Sequence, residues 1–140
     1  MNRREFVLAT GTVALAGSSA AAPDAGAASP TTAQRLVEVA SACIQTGELC
    51  EAHCFQQLAA GDTSLAKCAQ SVNLMLAMCR ALVTGAAQSS PRLKEIARTC
   101  GLICRDCEAT CKPHAGHHEI CRQCMDACRT CATACERAAA

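Results

Sequence analysis

Cys100-Gly-Leu-Ile-Cys104-Arg-Asp-Cys107-Glu-Ala-Thr-Cys111 decides the fold. Its cysteines are spaced by four, three and four residues, the rhythm of an α-helix. At about 100° per residue, the four sulfurs fall in an arc roughly 60° wide along about 16 Å of helix axis. The same template fits the chain three more times. Cys124, Cys128, Cys131 and Cys135 repeat it, with Cys121 one step earlier. Cys43, Gly47, Cys50 and Cys54 repeat it with one thiol missing. Cys68, Val72, Met75 and Cys79 repeat it with thiols at the ends and a thioether between. Four helices are expected, each with one narrow sulfur-rich stripe.

Working outward, the boundaries are marked by caps and breakers. Thr31 and Gln34 form a capping box that opens a first helix, expected to run to Ala60 and stop at Gly61. Asp62 or Thr63 caps a second, reaching about Gly85. Ser90-Pro91 opens a third, which Pro113 closes after Lys112. A fourth starts near His118. Short connections make neighbouring helices antiparallel, so the fold class is all-α: an up-down four-helix bundle with a Cys-lined core. Antiparallel order places Cys43, Cys79, Cys100 and Cys135 at one end. Cys54, Cys68, Cys111 and Cys124 lie at the other, with Cys121 beyond. Past the first end the stripes continue in Leu36, Val39, Leu82, Val83, Leu93 and Ile96, a hydrocarbon plug. Past the second come His114, His117 and His118, with His53 at the same level, which makes that end the expected mouth. Leu49, Leu58, Leu74, Leu76, Leu102 and Ile103 are expected to pack as apolar flanks that let the bundle fold without metal.

Composition agrees with one small domain. The chain has 140 residues, two Phe, no Trp or Tyr, and a net charge of +1 with no basic stripe, which argues against nucleic acid. Fourteen cysteines point to a disulfide scaffold or a metal site. Arg3 and Arg4 in Asn2-Arg3-Arg4-Glu5-Phe6, followed by an apolar run, resemble a twin-arginine export signal. The expected division is a signal peptide over 1–27, a linker over 28–31 and the bundle over 32–140. A periplasmic protein, exported folded and free of the membrane after cleavage, follows as an expectation.

Three explanations compete for the thiols besides a shared metal store. Residues i and i+4 of one helix hold their Cβ atoms about 6 Å apart, too far for a bridge, so disulfides could form only between helices. That leaves four or five cysteines on one face unexplained. Cysteine as a small core hydrophobe accounts for one or two positions and fails at fourteen. Structural zinc wants closed four-ligand cages, and iron–sulfur motifs need wrapping loops. Soft thiolates and thioethers select Cu(I), which accepts few ligands. One Cu⁺ per thiolate also leaves the tube neutral, whereas several four-thiolate zinc sites would bury net negative charge. The expected cargo is therefore multiple Cu(I) ions, about one per Cys. The alternatives are a low-capacity copper or zinc metallochaperone and a disulfide-stapled helical structural protein.

The twin-arginine leader, the four helices and the inward CxxxC stripes resemble the exported branch of the bacterial copper storage proteins. The resemblance implies a bundle filled with Cu(I), a homo-oligomer (a tetramer), and a copper-requiring enzyme as candidate recipient. It makes all fourteen cysteines ligands: Cys43, Cys50, Cys54, Cys68, Cys79, Cys100, Cys104, Cys107, Cys111, Cys121, Cys124, Cys128, Cys131 and Cys135. Met75 is a candidate auxiliary ligand, and His53, His114, His117 and His118 are candidate entry-site ligands. Met78 and Met125 lie off their stripes and read as core packing. Nothing in the pattern forms a nucleophile–base pair, so no enzyme activity is expected.

Overall fold

The computed structural model describes residues 29–140. The expected export leader and cleavage site lie outside them. Four helices follow in order: α1 (Thr32–Ala59), α2 (Ala66–Ala87), α3 (Leu93–Cys111) and α4 (Glu119–Ala139). The capping box forms as expected. Thr31 Oγ1 accepts from the Gln34 N–H at 3.2 Å, and Gln34 Oε1 accepts from the Thr31 N–H at 2.8 Å. Gly61, at φ +93°, reverses the chain after α1, a left-handed conformation that glycine adopts without strain. Asp62 Oδ1 then accepts from the Ser64 N–H and caps a single 3-10 turn, Thr63–Leu65, which runs into α2.

Two boundaries move from their expected places. α2 passes through Gly85 instead of ending there. A Cβ at that glycine would stand 3.0 Å from Ile96 Cδ1, so its smallness serves the α2–α3 contact, not a helix stop. α3 begins at Leu93, because Ser90 closes a turn first: its Oγ accepts from the Arg92 N–H and its carbonyl from the Leu93 N–H. Lys112–His114 form a second 3-10 turn, and His118 stands at the N-cap of α4.

α1 packs on α2 and α4, and α3 packs on the same two, closing a ring of four antiparallel helices. The inside of the ring is sulfur. Every one of the fourteen cysteines is fully buried, with Val72 and Met75 among them. At the far end Leu36, Val39, Leu82 and Ala97 are buried, with Val83, Leu93 and Ile96 half-buried, and the expected hydrocarbon plug is present. The flanks need correction. Leu76 is buried and Leu58 and Ile103 are half-buried, but Leu49, Leu74 and Leu102 are 62%, 54% and 64% exposed, and Phe55 is exposed too. Thiols are small, so the stripe fills the narrow core and leaves no room for a second apolar row on the same helix. Outside, Arg105 reaches Glu108 and Glu136, while Arg129 reaches Glu108 and Asp126, tying α3 to α4. No helix among the described residues is long and apolar enough to cross a membrane.

Candidate metal centre

The stripes face one another closely. Cys68 Sγ lies 3.5 Å from Cys111 Sγ, Cys43 lies 3.6 Å from Cys128, and Cys79 lies 3.9 Å from both Cys100 and Cys104. A disulfide needs about 2.05 Å, and all fourteen cysteines are free thiols. Sulfurs within 4.8 Å of one another form five groups. One joins Cys43, Cys79, Cys104 and Cys131; a second joins Cys100, Cys131 and Cys135. The others are Cys107–Cys124–Cys128, Cys50–Cys111–Cys124 and Cys50–Cys54–Cys68. Cys131, Cys124 and Cys50 each belong to two groups, so the groups share sulfurs and do not close into separate cages. Cys121 stands outside them, 3.9 Å from Cys50.

Levels within each hairpin are as the stripes require, and α2 meets α3 at the expected pairs Cys79–Cys100 and Cys68–Cys111, but α1 is shifted by about one sulfur against α3 and α4. Cys43 meets Cys104, Cys128 and Cys131, where Cys100 and Cys135 were expected. Cys50, not Cys54, meets Cys111 and Cys124. Stripe spacing sets which face a residue occupies; axial offsets between helices come from packing, and within the α3–α4 hairpin Gly101 admits Cys135. A Cβ on Gly101 would stand 3.1 Å from Cys135 Cβ.

The missing thiol on α1 has a structural cause. A Cβ on Gly47 would stand 2.7 Å from Met75 Cε and 2.8 Å from Leu76 Cδ2. The α2 side chains occupy the space that a thiol at this position would have filled. Met75 Sδ in turn accepts from the Cys43 and Cys79 thiols at 3.4 and 3.6 Å. Its thioether is therefore part of the sulfur row, as expected. Met78 and Met125 are only half-buried against the core.

The histidine end is more closed than its sequence suggests. His53 Nε2 and His118 Nδ1 are 2.9 Å apart, joining α1 to the start of α4. His114 is half-buried in the turn and His117 is exposed. Leu65, from the 3-10 turn against α1, is fully buried at this end and seals it. It lies three residues before Cys68, on the α2 stripe, so the helical period already marked it.

The thiols of this core do not hold their protons equally: Cys50, Cys68, Cys107 and Cys131 are held below the ordinary range and the other ten are raised above it. Cys50 is held below the ordinary thiol range, chiefly by the Cys111 thiol beside it, and Cys107 likewise. Cys111 and Cys128 are pushed far up, by their contacts with Cys107 and Cys104 first. Burial, then the charge on Cys68 and Cys50, raises Cys54. At Cys121 the contact with Cys50 favours the thiolate, but Cys68 and burial outweigh it, and the thiol is pushed up to about 11. Such a core exchanges protons for soft cations: each ion that enters displaces thiol protons and relieves repulsion between thiolates.

The copper storage protein family model matches residues 29–140. The chain belongs to the copper storage protein family. Solved members of the same shape include a Cu(I)-bound copper storage protein, BsCsp3, at 27% identity and a TM-score of 0.71, covering 79% of this chain and 100% of that one. Apo-Csp3 from Bacillus subtilis is 28% identical at a TM-score of 0.69, covering 77% and 99%. A cytosolic copper storage protein from Streptomyces lividans, described with five coppers, is 27% identical at a TM-score of 0.71, covering 77% and 92%. No curated protein sequence matches the chain. These family members overturn the expected periplasmic localisation, since the Streptomyces lividans protein is a cytosolic store. The physical reason is that the thiol stripes fix the fold and the cargo of the bundle and carry no information about the compartment. Free thiols also persist best where the surroundings are reducing.

Proposed function

We propose that this copper storage protein holds many Cu(I) ions along its core, about one per cysteine, with the bundle over 32–140 as the storage unit. The sharing of Cys131, Cys124 and Cys50 between neighbouring sulfur groups carries the reading. Shared sulfurs suit bridging thiolates and a continuous row of ions; isolated tetrahedral sites would need each sulfur to itself. Charge points the same way, because one Cu⁺ per thiolate leaves a buried core neutral. The family and the Cu(I)-bound relative support it. Ions enter at the end that carries His53, His118 and Cys121, where imidazole and an outer thiol replace the water of a hydrated ion. The exposed Leu49, Phe55, Leu74 and Leu102 leave apolar surface for assembly into the tetramer that the resemblance implies.

The test is titration of the reduced protein with Cu(I) against a chromophoric chelator, with the break expected near one equivalent per cysteine. A break at one or two equivalents refutes storage. The zinc reading has one observation in its favour, the four-thiol group Cys43–Cys79–Cys104–Cys131. Zn²⁺ that binds there and resists displacement by Cu(I) would sustain it.

A further inference from the structure

The sulfur row is not equally continuous on its four walls. On α1 the thiols stop between Cys43 and Cys50, a rise of about 10 Å with only Gly47 between them on the stripe. On α2 they stop between Cys68 and Cys79, about 16 Å apart along the axis, and Val72 and Met75 fill that gap, both fully buried. Both gaps exceed the 4.8 Å within which sulfurs group elsewhere in the core. They face each other, since Met75 lies against Gly47. At this level only α3 and α4 supply thiols, and these are Cys107, Cys124 and Cys128, themselves one group. Cys124 belongs also to the outer group with Cys50 and Cys111, while Cys128 reaches the inner Cys43 at 3.6 Å.

We propose that the store is divided into two copper pools, an outer exchangeable one and an inner reserve, joined by a relay through Cys107, Cys124 and Cys128. The proposal rests on the Cu(I) storage reading. The inner pool is held by Cys43, Cys79, Cys100, Cys104, Cys131 and Cys135, under the hydrocarbon plug. The outer pool is held by Cys50, Cys54, Cys68, Cys111 and Cys121, beneath the His53–His118 pair. A bound Cu(I) moves by ligand exchange: an incoming thiolate must reach the ion before the outgoing one lets go. The α1–α2 wall offers it hydrocarbon at Val72 and, at Met75, a neutral thioether already turned towards Cys43 and Cys79. A thioether can complete the coordination of an inner ion but carries no charge to displace a thiolate. The ion crosses on the α3–α4 side or not at all. No electrons move in this transfer, and each ion that binds releases one thiol proton to solvent.

Removal of Cu(I) from the fully loaded reduced protein by excess chelator should therefore be biphasic. Replacing both Cys107→Ser and Cys128→Ser should slow the second phase by about tenfold or more, equivalent to about 1.4 kcal/mol of barrier, and leave the first unchanged. Cys100→Ser with Cys135→Ser removes two ligands of the inner pool at the blind end instead, so it should lower capacity and the amplitude of the second phase without the tenfold slowing seen in the relay pair. Circular dichroism confirms that each variant is folded. A gain of function complements the losses. Gly47→Cys with Met75→Ala places a thiol in the gap, in the space the Met75 methyl vacates, and should merge the two phases into one. Single-phase removal from the wild-type chain overturns the proposal. So do equal rates in the two serine pairs, or two phases persisting in the folded Gly47→Cys/Met75→Ala chain. Failure of the storage reading is separate and visible beforehand, as a wild-type chain that cannot be loaded beyond one or two ions.

Discussion

Replacing Gly47 by Ala sets two effects of known size against each other. In the interior of a helix, Gly→Ala is worth about 1 kcal/mol of added stability, and α1 is a long, well-capped helix in which that gain should be realised. Position 47, however, is where α2 leans on α1. The new Cβ would stand 2.7 Å from Met75 Cε and 2.8 Å from Leu76 Cδ2, well inside van der Waals contact. Both are side-chain tips, so they can yield, but both side chains are almost fully buried and have little free space to yield into. Overpacking of this kind costs about 1–3 kcal/mol, so the loss outweighs the gain by about 1 kcal/mol. For a bundle of this size that lowers Tm by about 4 °C. The assay is thermal unfolding of the reduced, metal-free protein under anaerobic conditions, followed by far-ultraviolet circular dichroism. The decisive comparison is a double-mutant cycle with Met75→Ala. That change alone costs about 2–5 kcal/mol through the cavity it leaves. In its background the contact with Met75 Cε is gone and the Leu76 tip can shift into the space left, so Gly47→Ala should turn stabilising by up to about 1 kcal/mol. If Gly47→Ala raises Tm in the wild-type background, or if the two changes are additive, Met75 does not occupy the space of the missing thiol.

Leu65→Ala removes the buried leucine that seals the histidine end; it should cost the metal-free protein about 2–5 kcal/mol and accelerate chelator-driven copper removal, and a folded variant with unchanged exchange would place the entrance elsewhere. Metal-free protein should also lose stability in alkali. Cys54 and Cys121 are raised above the ordinary thiol value of 9.0, Cys121 to about 11, so the unfolded chain ionises first. Their contribution is whole below about pH 9 and falls as the pH climbs above it, the share from Cys121 being lost through about 11 and that from Cys54 at still higher pH, which a series of Tm measurements would record; copper-loaded protein, whose thiols have already given up their protons, should not follow the same curve.

Much of this protein is determined locally, and that part is legible in the sequence. The four–three–four cysteine steps put every thiol on one face of a helix, because the angle between residues on one helix depends on nothing outside it. Thr31 with Gln34 and Gly61 mark the ends of α1 through hydrogen bonds and dihedral preferences of a few neighbouring residues. The choice of Cu(I) follows from the number and softness of the donors alone. Tertiary structure decides whatever depends on how one helix slides against another. The offset that brings Cys43 to Cys104 and Cys131, the meeting of Met75 with Gly47, and the pairing of His53 with His118 join residues far apart in the chain. Their positions along the bundle axis are set by side-chain packing, to which the period of a single helix is blind. The exposure of Leu49, Leu74 and Leu102 has the same origin: a helix shows which residues share a face, and only the assembled ring shows how wide a face it covers.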